Sequence, residues 1–200
     1  MVTWISIADL RPTQLTLGFE AVAMRKIKLV DKTDAELREH LSLERRRVPH
    51  VIGPDGELYM TDHHHLARAL WEMGKTEVAL GKTIADLSHL EPTAFWHEMD
   101  ARSLCWPVDA EGNRRPYSAI PRHIGELGDN AWRSLARRVV DVAFDNDTTA
   151  FQEFMWGEYF RSFMSRRLIE EQPALAAKLA IEVAALPDAE DLPGFRGRHR

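Results

Sequence analysis

Cysteine is nearly missing from this chain: Cys105 is the only one among 200 residues. A lone thiol cannot close an internal disulfide, and it rules out a cysteine-rich zinc site. No apolar run approaches the ~20 residues that span a bilayer. The stretch Met1-Val2-Thr3-Trp4-Ile5-Ser6 has no basic segment followed by a long apolar one, so no secretory signal is expected. An excess of positive charge is missing too. The net charge of -5 argues against a mainly electrostatic nucleic-acid binder, although a local basic patch can survive it. These absences point to a cytoplasmic protein with no membrane partner. What is present is ordinary for a globular chain, 44% hydrophobic and 28% charged residues, with enough length for one core or for a domain and an extension.

Periodicity divides the chain into a mixed half and a helical half. Val2 to Leu10 reads as a first strand, closed by the breaker Arg11-Pro12-Thr13-Gln14. Gly18-Phe19-Glu20 leads into a helix carrying Ala21, Val22, Met24, Arg25 and Ile27. A second helix spans about 34–43, where Thr33 and Glu36 have the spacing of a capping box. Val48 to Gly53 and Glu57 to Thr61 read as strands joined by the turn Pro54-Asp55-Gly56. The next helix runs from about His63 to Met73, with Leu66, Ala69, Leu70 and Met73 at helical spacing and Gly74-Lys75 as its stop. Glu77 to Ile84 follows as a strand, and Pro92 opens a further helix. Residues 103–122 contain Pro107, Gly112, Pro116 and Pro121 and read as a long irregular segment. Three helices are expected after it: one with the stripe Trp132, Leu135, Ala136, Val139, Val140 and Ala143, one over about 149–164, and one over 173–186. The expected fold is α+β (mixed α/β): a domain over 1–102, an irregular connection over 103–125, a helical extension over 126–187 packed on that domain, and a flexible tail over 188–200.

The densest chemistry lies where a strand becomes a helix, at Asp62-His63-His64-His65. The first turn of a helix has backbone N–H groups with no internal partner, and the helix dipole adds partial positive charge there. Together these favour a phosphate or carboxylate. Histidines at that point can donate hydrogen bonds, move protons near neutral pH or bind a metal. Asp62 can cap the helix, act as a base or hold a cation. The blander possibilities are that Asp62 is only an N-cap and that the histidine run is structural. Three adjacent histidines cannot all face one way, so at most two are expected to share a site.

The order of these pieces resembles the ParB/sulfiredoxin superfamily, and more narrowly the ParB-like nuclease family. The matching residues are Pro12-Thr13-Gln14 with Gly18 and Glu20-Ala21-Val22, then Val48-Pro49 with Gly53-Pro54-Asp55-Gly56, then Asp62 with His64-His65-Leu66-Ala67-Arg68-Ala69-Leu70. Arg133-Ser134-Leu135-Ala136 and the segment Phe151 to Arg161 match the narrower family. The resemblance implies a small mixed sheet with helices and a turn that holds nucleotide phosphates. Activities across the superfamily include CTP binding and hydrolysis, sulfinic-acid reduction with ATP, and phosphorylation of free serine. Two positions depart from the superfamily pattern. His63 stands where the turn usually has glycine, and Leu66 where an arginine usually follows the histidines. Arg68, Arg25, Lys26 or Arg47 are then the candidates to supply the missing charge. The reductase activity does not carry over, because its reactive cysteine belongs in the turn and Cys105 does not lie there.

On this reading the chain is expected to be an enzyme that handles a nucleotide or another phosphate-bearing small molecule, by phosphotransfer or phosphate-ester hydrolysis. Asp62, His64 and His65 are the candidate catalytic groups, with Glu20 as a candidate base. His63, Thr13, Gln14, Lys26 and Arg68 are candidates for ligand binding, and Mg²⁺ is the cation expected with a nucleotide. A nuclease or a partition-like DNA binder is the alternative; it needs a helix-turn-helix and a basic face, for which Arg133, Arg137 and Arg138 are only suggestive. A third possibility is a transition-metal site built from Asp62, His63 and His65. His50 reads as a surface or hydrogen-bonded core histidine, Arg114-Arg115 as solvated, and the aromatic run Phe151, Phe154, Tyr159, Phe160 and Phe163 as core or a homodimer face.

Overall fold

The computed structural model describes residues 2–197. The fold is mixed α+β, and the chain divides into two compact units, Met1–Gly128 and Asp129–Arg200. The expected connection over 103–125 therefore belongs to the first unit, and the boundary falls after it.

The first unit is built on a five-stranded sheet. Its strands are β1 (Trp4–Ser6), β2 (Leu10–Arg11), β4 (Val48–Ile52), β5 (Leu58–Met60) and β6 (Glu77–Asp86), in the order β1-β6-β4-β5-β2; a short β3 (Thr16–Leu17) lies outside it. β1 and β5 run antiparallel to β6 and β4 respectively, whereas β4 runs parallel to β6 and β2 parallel to β5. The strand expected over residues 2–10 is split. The Ser6 side chain accepts from the Ala8 N–H at 3.2 Å and caps a turn of 3-10 helix over Ile7–Asp9. The two fragments then serve opposite ends of the strand order, which only a strongly curled sheet allows.

The helices of this unit are α1 (Phe19–Leu29), α2 (Asp34–Ser42), α3 (His64–Glu72) and α4 (Pro92–Ala101). The Thr33–Glu36 capping box forms as expected. α3 buries Leu66, Ala67, Ala69 and Leu70, which join Leu10, Leu17, Met60, Val78 and Ile124 in the main core. A second cluster gathers Val51, Tyr59, Phe95, Met99, Cys105 and Ile120. Burial pushes the Cys105 thiol up to about 12, so it packs as a small apolar group. The irregular segment is tied to the sheet region rather than free: Trp106 N–H donates to the Thr13 carbonyl at 2.8 Å, and Arg122 pairs with Glu57 at 2.9 Å. Arg114 is engaged by Asp100 and Tyr117.

The second unit is helical, with α5 (Ala131–Val139), α6 (Gln152–Arg161), α7 (Arg166–Glu171) and α8 (Pro173–Ala184). Trp156 stacks on Phe144 with ring centroids 4.3 Å apart, and Ala176, Ala180 and Ala184 give α8 a small-residue face in the same core. Of the aromatic run, Phe154 and Phe160 are buried, Phe151 and Tyr159 half-buried and Phe163 exposed. α7, capped by Ser165, falls in a stretch with no expected element. The tail expected to be flexible from 188 is held as far as 197. Pro193 accepts from Gln152 Nε2 at 3.0 Å and from Trp156 Nε1 at 2.8 Å, Arg196 pairs with Asp145, and Ala189 is fully buried. Its last three positions, 198–200, lie outside the described residues. Among the described residues no helix is long and apolar enough to cross a membrane.

Candidate functional site

The helix begins one residue later than the spacing suggests. His63 occupies the N-cap position of α3 in the left-handed region, with φ 65° and ψ 18°. Asp62, for which capping was one of the possible roles, accepts from the His63 N–H, and the N-cap residue makes no side-chain cap hydrogen bond. A left-handed residue with a Cβ costs roughly 1–2 kcal/mol relative to a right-handed one. That conformation turns His63 away from its two neighbours.

His64 and His65 point inward and hold a loop. His64 is 4% exposed, and its Nε2 accepts the Thr13 N–H at 3.2 Å. The Thr13 hydroxyl donates to the Met60 carbonyl at 2.8 Å and lies 3.4 Å from the same His64 nitrogen. The Nε2 of His65 accepts the Gly18 N–H at 3.3 Å. Both rings therefore face backbone donors with an unprotonated nitrogen. Gln14 is buried and donates from Nε2 to the Thr16 carbonyl at 2.7 Å. The segment 12–18 is pinned at both ends by the histidine pair.

Three other expected site residues are engaged elsewhere. Arg68 is 9% exposed; its Nη1 donates to the carbonyls of Ile124, Gly125 and Leu127, and its Nε donates to Glu72 at 2.7 Å. Lys26 pairs with the same Glu72 at 3.0 Å. This network fastens α3 to α1 and to the segment 124–127, so neither cation faces the turn. Glu20 sits exposed in the first turn of α1.

His63 faces a different place. It lines an open basin of about 770 Å³ together with Glu44, Arg47, Pro49, His50 and the β6 residues Leu80, Gly81, Lys82 and Thr83, with Val2 and Thr3 at its edge. Burial holds the His63 imidazole below its ordinary value of 6.5; the neighbouring Asp62 carboxylate opposes that shift, and the charges of Arg25 and Arg46 add to it. His50 is also held below 6.5 by burial, against the pull of the Val48 backbone. The basin thus combines two imidazoles that are neutral near pH 7 with fixed cations along one wall.

The set Asp62, His63 and His65 does not form a metal site in this geometry. His63 opens to the basin, His65 is turned onto Gly18, and among the described residues no three His, Cys, Asp or Glu side chains converge as a metal-binding group.

The comparisons agree with this architecture. The family described as "Putative ParB-like nuclease" matches residues 3–162. The chain belongs to the ParB-like nuclease family. The crystal structure of protein Atu1540 from Agrobacterium tumefaciens is similar to this ParB-like chain over 100% of both chains, with 32% sequence identity and a TM-score of 0.86. No curated protein matches the chain.

Within this ParB-like fold the sequence reading named the turn but missed the wall opposite it. No sequence pattern singles out Lys82 or Thr83, and His50 reads in sequence as a surface or hydrogen-bonded core histidine. One signal was available: Gly81 interrupts the interior of a strand, which often marks a bulge or a close backbone approach.

Proposed function

We propose that this ParB-like protein binds and acts on a phosphate-bearing small molecule, with a nucleotide as the leading class, in the basin onto which His63 opens. The observation that carries the reading is the left-handed His63 at the uncapped start of α3, facing a cavity that also holds Arg47 and Lys82. The helix start and the cations favour an anion of high charge density. The cavity volume is that of a small-molecule site.

In this account the roles within the turn are divided. His64 and His65 position the segment 12–18, and His63 is the ligand-facing group. As a neutral imidazole beside Asp62, His63 can take a proton from a water or hydroxyl that attacks phosphorus while the P–O bond to the leaving oxygen breaks; the carboxylate supports the imidazolium that results, and that imidazolium can return the proton to the departing oxygen. This supports phosphotransfer or phosphate-ester hydrolysis. A Mg²⁺ ion carried in by a nucleotide would find one carboxylate in the basin lining, Glu44, with Asp62 next to His63 at the turn, which fits the low number of protein ligands usual for phosphate-bound Mg²⁺.

A thermal-shift panel of nucleotides, phosphomonoesters and pyrophosphate, each with and without Mg²⁺, tests the proposal. A ligand at 100 times its Kd adds about 2.7 kcal/mol, or roughly 5–10 °C for a chain of this size. The shift should vanish in His63→Ala. A panel in which no phosphate compound moves the midpoint contradicts the proposal.

The family's description favours a second reading, in which the phosphate belongs to a nucleic-acid phosphodiester. A gel-shift series across salt separates the two: a nucleic-acid ligand gives binding that weakens steeply as salt rises, whereas the first reading predicts no retained complex at physiological salt.

A further inference from the structure

The basin's second wall is built by an irregularity in the sheet. Along the parallel β4–β6 pair, Val48 stands opposite Leu80, His50 opposite Thr83 and Val51 opposite Ala85. Two steps on β4 are matched by three on β6, and the next single step by two, so β6 carries the extra residues. Successive side chains of a regular strand alternate between faces. Here Leu80, Gly81, Lys82 and Thr83 all line the same cavity. Bulges re-aim side chains in this way and occur often beside functional sites. Gly81 makes the approach possible: a Cβ there would stand 3.0 Å from the Arg47 carbonyl oxygen and 3.2 Å from Arg47 Cβ.

The buried member of this wall is His50, 6% exposed and yet lining the cavity. Its Nε2 meets the Thr83 hydroxyl at 3.1 Å, while Nδ1 has no hydrogen-bond partner of ordinary geometry. Burial disfavours the charged form of the ring, against the Val48 backbone beside it, which favours that form. Arg47 is anchored through Nε alone, which donates to the Ser42 carbonyl at 2.8 Å. This presents the terminal nitrogens of its guanidinium at the cavity. Lys82 has no ion pair among the described residues.

We propose that Arg47 and Lys82 are the anion-holding wall of the basin, with His50 behind them holding Thr83 at the cavity, against the phosphate group of the ligand whose other side meets His63. This rests on the phosphate-handling reading above and deepens it by moving the recognition groups from the histidine pair to the bulged sheet. The wall supplies a planar fork and a point charge beside one another. That combination suits a dianionic phosphate ester or a diphosphate better than a monoanionic carboxylate.

Calorimetric titration of the full chain with inorganic pyrophosphate tests the wall. Lys82→Ala and Arg47→Ala should each raise Kd at least tenfold, and His50→Gln severalfold, while Lys28→Ala, on α1 and outside the basin, leaves Kd unchanged. Lys82 is exposed, so its variant keeps the test valid even if His50→Gln fails to fold. Pyrophosphate binding that is lost in His63→Ala but unchanged in Lys82→Ala and Arg47→Ala overturns the wall and leaves the functional reading standing. A wild-type chain that binds neither pyrophosphate nor any nucleotide overturns both.

Discussion

The two sides of the histidine turn use the same residue type for different ends. On the inner side, His64 and His65 accept backbone N–H groups from Thr13 and Gly18 and fasten a loop. On the outer side, His63 is held in a left-handed conformation and opens to a basin with Arg47, His50 and Lys82. Each ring of the inner pair has its Nε2 committed to the fold. The outer residue carries a left-handed backbone, and it lines the basin. Strain persists where surrounding structure enforces it, and such residues cluster at functional sites. Adjacent histidines are therefore separated by backbone geometry into holding and presenting roles.

The largest expected effect lies on the inner side. Arg68→Ala leaves three carbonyls without their donor and Glu72 without its closer cation, so urea unfolding should show a loss of about 3 kcal/mol or more. Retained stability would mean that the network does not hold α3 in place. His64→Ala deletes a buried ring and orphans the Thr13 N–H; a loss of about 2–3 kcal/mol is expected by the same measurement. Its outer counterpart, His63→Ala, should stay within about 0.5 kcal/mol of wild type. Equal losses at 63 and 64 would erase the contrast between the two sides.

Acid should weaken the fold through the outer side. The folded pKa values of His50 and His63 lie below 6.5, so between the folded and unfolded values the unfolded chain binds more protons. Their contribution is fully present above about 6.5 and is lost as pH falls through the lower folded value. Thermal midpoints measured from pH 7.5 to 5 should decline, and His50→Gln should flatten the decline. A profile unaffected by that substitution would remove His50 from the account.

One effect has the opposite sign. His63→Gly relieves the left-handed backbone and should raise stability by about 0.5–1 kcal/mol while abolishing phosphate binding. A variant that is both more stable and equally tight-binding would show that the ring has no ligand role.

Much of this was legible in the chain itself. The Thr33–Glu36 spacing named its capping box, and the apolar spacing of Leu66, Ala69 and Leu70 placed α3. The anchor turn was visible as Asp62-His63-His64-His65, and the resemblance on which the family rests was readable from it. The direction of each ring was not, because φ at residue 63 decides it and the residue type there favours a right-handed conformation. Arg68 illustrates the opposite limit. Its place beside the histidines suggested a ligand charge, but the segment 124–127 that claims it lies more than fifty positions away. The β6 bulge was hidden because register belongs to a strand pair, and only Gly81 hinted at it. The packing of residues 188–197 depends on partners such as Gln152 and Trp156 that no local pattern names.

Histidine-ring NMR during a titration with pyrophosphate tests the division of roles most directly. The account predicts that the ring signals of His63 and His50 shift with ligand while those of His64 and His65 stay in place. Shifts confined to His64 and His65, with His63 and His50 silent, would contradict it.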